Sequence, residues 1–149
     1  MLLNCDSCYR CCTHFTKDTM APFVQEDEKK LIGHENFHQV EFPEIGETMT
    51  LMKRKNDRCI AWSYEEHCTI YPARPADCMI YPFTVKNGDM IVHLTCPDSV
   101  RLLNLVDAGD INAGRLYTIA KSVILNASEK YLTYLEYQTR NLKFYCVVT

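Results

Sequence analysis

The chain has 149 residues, 47% of them hydrophobic, and a formal net charge of -3. That is enough apolar material for one globular domain with a modest core, and it excludes a disordered chain. The charge is slightly acidic with no basic run or stripe, which argues against nucleic acid as a partner, because phosphate binding needs clustered Lys and Arg.

Four cysteines stand within eight residues at the start, Cys5, Cys8, Cys11 and Cys12, in the pattern C-x2-C-x2-C-C. A thiolate at every third position lets a tight loop place three sulfurs on one soft metal centre. The adjacent Cys12 turns elsewhere and is available to another centre. Residues 1–21 carry little apolar periodicity, so metal rather than packing is expected to order them. Pro22 predicts a helix over about 22–32, acidic early, basic late and stopped by Gly33. Residues 34–47 read as irregular. Strands are expected over 48–53 and 58–62, around a turn at Asn56-Asp57.

Cys59, Cys68 and Cys78 follow at long gaps. The stretch 64–82 holds three prolines, Pro72, Pro75 and Pro82, and reads as a second metal-organised loop with a helical turn near 75–78. Strands over 83–86 and 90–95 flank Asn87-Gly88-Asp89, a strong hairpin signal. Cys96 lies just beyond. Asp98 or Ser99 can cap a short helix ending before Gly109. The last element is expected to be one long helix over about 112–137. Its apolar stripe, Leu116, Ile119, Ala120, Val123, Ile124, Ala127, Tyr131, Tyr134 and Leu135, should pack on the rest of the domain. Asn126-Ala127-Ser128 fits a glycosylation pattern but lies within that helical stretch and carries no weight. The expected fold is α+β: a single domain over 1–149, with metal-binding motifs in 1–96, short hairpins, and a helical part in 97–149.

Nine cysteines could suggest a secreted disulfide scaffold, but the number is odd and their close spacing in one loop is typical of metal sites in reducing compartments. Met1-Leu2-Leu3 is too short an apolar start for an export signal or a lipoprotein site, and no stretch is long enough to span a membrane. The expectation is a cytoplasmic protein without a membrane partner.

Eight thiolates, Cys5, Cys8, Cys11, Cys12, Cys59, Cys68, Cys78 and Cys96, suffice for two four-sulfur sites, or for one site plus reactive cysteines. The first three are similar to the opening ligands of bacterial ferredoxin-type loops, and Cys96-Pro97 to the Cys-Pro that closes such runs. Structural zinc domains more often use two separated C-x2-C knuckles, and only one region here has that spacing. The pattern favours one or two iron–sulfur clusters of [4Fe–4S] type, with zinc as the alternative. Spacing does not fix the pairing. One arrangement puts Cys5, Cys8 and Cys11 with one later cysteine, and Cys12 with the other three. Arg10, Arg58 and Arg74 lie near cysteines in sequence and can offset anionic sites. His14 and His67 can replace a thiolate or hydrogen-bond to one, whereas His34, His38 and His93 show no ligand spacing. Tyr71, Tyr81 and Phe83 can shield a centre from water or simply pack. Cys146, alone after the last helix, reads as a small buried hydrophobe.

The C-x2-C-x2-C-C start, then C…C-x-I-Y-x-x-R-P-x-x-C-x-x-Y-P-F, then Cys96, resembles the YkgJ-type cysteine-cluster family of zinc- or iron-chelating domains. The matching positions are Cys5, Cys8, Cys11, Cys12, Cys59, Cys68, Ile70, Tyr71, Arg74, Pro75, Cys78, Pro82, Phe83 and Cys96. Tyr9 departs from a common glycine and Met79 from a common arginine, both without loss of a thiolate. The resemblance implies metal binding. Family members are often labelled iron–sulfur oxidoreductases, and a related cluster occurs in flagellin lysine methylases.

Three functions compete. An iron–sulfur protein would carry electrons for a protein redox or assembly partner. A zinc-stabilised interaction module would use the long helix to meet a partner. A standalone enzyme has the least support, since no radical-type C-x3-C-x2-C motif, glycine-rich nucleotide loop or convincing nucleophile–His pair is found, and no catalytic residue is assigned.

Overall fold

Residues 17–148 are described by a computed structural model and fall into two units, 17–79 and 80–148. Both mix helices with short antiparallel strand pairs, so the α+β expectation holds.

In the first unit, the helix expected from Pro22 starts later. Phe23 and Val24 are 4% and 1% exposed, and burying them favours extended chain over a helix that would leave one of them in water. Residues 22–24 therefore run beside strand β2 (Glu47–Met52): the Val24 N–H donates to Thr50 O at 2.9 Å, and the Met52 N–H to Pro22 O at 2.9 Å. Gln25 then opens the helix through a reciprocal cap, its side chain accepting from the Glu28 amide while Glu28 Oε1 accepts from the Gln25 amide at 2.9 Å. A 3-10 turn at Glu26–Glu28 runs into α1 (Lys29–Ile32), which Gly33 stops with a φ of 92°.

The stretch read as irregular contains a strand. β1 (Phe37–Phe42) pairs with β2 from Phe37 opposite Met52 to Phe42 opposite Glu47. Its sequence, Phe-His-Gln-Val-Glu-Phe, does not alternate cleanly, and only Phe37 and Phe42 are buried. Its strand character comes from its partner: β2 carries Met49, Leu51 and Met52, all at 1% exposure or less. The turn at Asn56-Asp57 is where the sequence places it, with Asn56 at φ 57°, but it joins shorter strands, β3 (Arg54–Lys55) and β4 (Arg58–Cys59). β5 (Trp62–Ser63) pairs with β6 (His67–Cys68). After Pro75, α2 (Ala76–Ile80) supplies the expected helical turn.

The second unit is built on a sheet of order β7-β8-β9, namely β7 (Phe83–Lys86), β8 (Asp89–His93) and β9 (Tyr145–Val147). Lys86 pairs with Asp89, leaving Asn87-Gly88 as a two-residue turn with φ of 54° and 79°, the geometry that suits the twist of a hairpin. α3 (Ser99–Asp107) follows Asp98 and ends ahead of Gly109, as expected.

The long final helix is two helices, α4 (Ile111–Leu125) and α5 (Glu129–Thr139). Ser128 explains the break: its hydroxyl accepts from the Tyr131 amide at 3.1 Å and caps a new helix where the old one was expected to continue. Asn126-Ala127-Ser128 is thus the joint, not mid-helix. Of the predicted stripe, Tyr131, Tyr134 and Leu135 are at most 1% exposed and Ala120 is fully buried, but Ile119 is 44% exposed. The core joins Ile80, Phe83, Val92, Leu102, Ala113 and Ala120. α5 is fastened to the hairpin by Glu136, whose two carboxylate oxygens accept from the Asn87 and Gly88 amides at 2.9 Å each. Lys86 Nζ donates to Thr139 O at 2.6 Å, a cation at a helix C-terminus. Cys146 corrects the expectation of burial: it lies exposed on β9, paired with Val92 of β8. Among the described residues, no helix is long and apolar enough to cross a membrane.

Candidate metal centre

Of the expected ligands, Cys5, Cys8, Cys11 and Cys12 lie outside the described residues, as do Arg10 and His14. Cys59, Cys68 and Cys78 belong to the first unit and Cys96 to the second. All four are half-buried thiols outside any disulfide.

Cys59 ends β4, opposite Arg54. Next in line, the Ile60 amide donates back to Lys53 O at 3.0 Å. Burial pushes the Cys59 thiol up to about 11. Cys68 ends β6 opposite Trp62, and the following Thr69 donates both its amide and its hydroxyl to Ala61 O at 2.8 Å. The Ala61 carbonyl thus ties the segment after Cys68 to the one after Cys59. His67 sits just before Cys68 with φ 57°, a left-handed conformation that turns the chain into the second strand.

Among the described residues, Arg58 meets two aromatic rings. Its guanidinium lies 4.4 Å from the Tyr64 ring centre and 5.4 Å from that of Trp62, and Nη2 donates to the Tyr64 hydroxyl at 2.5 Å. Arg74 likewise lies 3.8 Å from the Tyr71 ring centre and donates to Tyr71 O at 3.4 Å. Tyr71 is 37% exposed, whereas Phe83 is 2% exposed within the second unit's core.

Cys78 is positioned by α2, by its neighbour Asp77 and by Glu28 from elsewhere in its unit. Its amide donates to Pro75 O at 2.9 Å. One residue earlier, Asp77 Oδ2 accepts from the Phe23 amide at 2.8 Å, and the Ala76 amide donates to Glu28 Oε2 at 2.6 Å. Glu28 therefore holds two backbone amides, those of Gln25 and Ala76, and burial outweighs them in raising its carboxyl above the ordinary value. Sequence reading missed Glu28 and Asp77. The Gln25-x-x-Glu28 spacing is a capping-box signature, but nothing local marks the reach to Ala76. Met79, the departure from the family pattern, is 40% exposed.

Cys96 occupies the turn between β8 and α3. Its amide donates to His93 O at 3.3 Å, and its carbonyl accepts from the Ser99 amide and hydroxyl at 3.1 and 2.9 Å. The bonds of Cys96 and Ser99 close the turn into α3. His93 hydrogen-bonds through Nδ1 to the Thr95 hydroxyl, and burial lowers its pKa.

Among the described residues, no group of three or more His, Cys, Asp or Glu side chains stands ready to hold a metal ion. The segments that follow Cys59 and Cys68 meet where Thr69 donates to Ala61 O. The donor chemistry fits zinc or iron, since the described thiols are all reduced and sulfur is the ligand those ions share. Compared with known families, residues 4–97 match the CxxCxxCC model, described as a "putative zinc- or iron-chelating domain". The matched span holds all eight proposed ligands and leaves out Cys146. No curated protein and no solved structure matches the chain.

Proposed function

The chain belongs to the CxxCxxCC family of zinc- or iron-chelating domains, and from that premise we propose that Cys5, Cys8, Cys11, Cys12, Cys59, Cys68, Cys78 and Cys96 hold one or two iron–sulfur clusters of [4Fe–4S] type. The protein then serves electron transfer, or assists a redox enzyme, through a protein partner in a reducing compartment. The observation that carries the reading is the placement of the cysteines: the described ones within the matched span are half-buried, outside any disulfide, and set on turns, two-residue strands and the short helix α2. Thiols used only for packing would sit in the core, and none of the described cysteines is among the buried core side chains. The C-x2-C-x2-C run supports iron–sulfur over zinc. A bound cluster supplies one-electron redox chemistry; the chain supplies thiolates and partial exclusion of water.

The test is metal and acid-labile sulfide analysis, with a visible spectrum, on protein purified without oxygen. About four iron and four sulfide per centre, with broad absorption that bleaches on reduction, is the expected result. Zinc without sulfide would replace the redox reading with that of a zinc-stabilised interaction module. Cys8→Ser and Cys78→Ser should lose metal while Cys146→Ser keeps it; equal retention in all three would sink the ligand set.

A further inference from the structure

β9 is an outer strand of its sheet, whose order is β7-β8-β9. Its inner side is taken by β8: the Leu94 N–H donates to Phe144 O at 3.1 Å, and the Val148 N–H to Met90 O at 2.9 Å. Backbone groups alternate in direction along an antiparallel strand, so the N–H and C=O of Tyr145 and Val147 point away from the sheet. Among the described residues, no strand pairs with them. Edges of this kind are usually blunted by a charge or a proline, and Phe-Tyr-Cys-Val-Val, residues 144–148, has neither. Phe144 is 69% exposed and Val147 53%. Cys146 stands opposite Val92, which belongs to the core that α3 and α4 cover. Side chains two apart share a face, so Phe144, Cys146 and Val148 all lie on the helix-bearing side. There a cavity of about 350 Å³ opens between α3, α4 and β9, walled in part by Leu103, Val106, Tyr117, Cys146 and Val148. An apolar cavity of roughly 150 Å³ takes benzene, so this one has room for a phenyl ring.

We propose that a second copy of this chain adds its β9 to this edge, antiparallel about a two-fold axis at Cys146, and that each copy's Phe144 enters the other's cavity. The strand is its own complement in that register. Tyr145 and Val147 are the residues whose backbone groups point outward, and the axis sets each opposite the other, so they exchange N–H···O bonds. Tyr145 against Val147 and Phe144 against Val148 are aromatic and β-branched pairs, which favour one another across strands. Val148 of the partner subunit lines that subunit's cavity, so Phe144 arrives at its mouth. Cys146 faces its own copy in a non-hydrogen-bonded pair, where Cα atoms lie about 4.5 Å apart. A second copy fits better than an unrelated strand because the exposed ring, the cavity and the register joining them all belong to one strand. The proposal does not depend on which metal the other cysteines hold.

The experiment is sedimentation equilibrium on the full chain, purified without oxygen and kept reduced, from low micromolar to near millimolar concentration. The mass should rise from monomer to dimer. Phe144→Asp and Val147→Lys, both at exposed positions, should each weaken dimerisation about ten-fold or more. A monomer at every concentration, or a dimer that both variants leave unchanged, overturns the proposal. Because a variant can fail to fold, the wild type is also treated with a short thiol-to-thiol cross-linker, and the joined peptides are identified by mass spectrometry. Cys146 joined to Cys146 of the partner subunit is the expected product. A dimer whose cross-links never include that pair overturns the proposal. Metal content is measured on the same samples, so a monomer that keeps its metal removes this edge pairing and leaves the cysteine-ligated reading intact.

Discussion

Residues 53–79 and 80–148 are held together by different physics. In the second stretch, three strands and three helices enclose Phe83, Ile91, Val92, Leu102, Tyr131 and Tyr134, all at 2% exposure or less. In the first, the strands are two residues each, and Ala61, Trp62 and Pro75 are the buried side chains. That stretch carries Cys59, Cys68 and Cys78. The two regions share one device, a glutamate accepting two backbone amides, but use it differently. Glu136 secures a turn that Asn87-Gly88 already favours. Glu28 joins segments 48 residues apart and is desolvated to do so. A region with so little apolar burial relies on a few polar contacts, and on whatever its thiols bind.

The widest separation between the two should come from metal removal. Structural metal binding contributes on the order of 10 kcal/mol in small cysteine-rich domains. Chelation, or Cys78→Ser, should expose the amides of 53–79 to hydrogen exchange while those of β7, β8 and α5 stay protected. Equal loss in both regions would break the comparison. Next comes Leu102→Ala, which opens a cavity in the second core and should cost about 2–5 kcal/mol in denaturant unfolding, with the folded protein keeping its metal.

Glu28→Ala should cost about 1–3 kcal/mol, because the Ala76 amide loses its acceptor. Its pH dependence has a definite sign. Burial raises the Glu28 carboxyl above the ordinary 4.5, so the native chain binds this proton more tightly than the unfolded chain. The resulting contribution is present below 4.5 and is lost as pH rises through the raised native value. Glu28→Gln should abolish that slope in the unfolding midpoint. The smallest effect is on reactivity, with stability untouched. In metal-free folded protein near pH 8, a thiol at about 11 is thiolate only about one part in a thousand. Exposed Cys146 should therefore be alkylated before Cys59.

What the sequence made legible was local. Asn87-Gly88 marked its hairpin, Asn56-Asp57 its turn, Pro75 the helical turn before Cys78, and the cysteine spacing the family. β1 was hidden because its strand character comes from β2, the next strand, and not from its own residues. β9 was hidden because it pairs with β8 across three helices. The apolar stripe read as one helix because the periodicity continues across the Ser128 cap. In the candidate site, the contacts of Ala61, Glu28 and Asp77 are single hydrogen bonds between distant segments and leave no repeating mark. Cys146 looked buried because it sits among Phe144, Tyr145, Val147 and Val148, but an edge strand shows one face to water.

The Glu136 clamp also bears on how the protein ages. Asn-Gly is a dipeptide prone to deamidation: the glycine nitrogen attacks the asparagine side-chain carbonyl, ammonia leaves, and a succinimide opens to aspartate or isoaspartate. Here the Gly88 nitrogen is bonded to Glu136 Oε1 at 2.9 Å, and the Asn87 nitrogen to Oε2 at the same distance, so the attacking atom is held in the hairpin geometry. The turn that sequence alone would mark as the chain's chemical weak point is kept from that fate for as long as α5 stays docked on it.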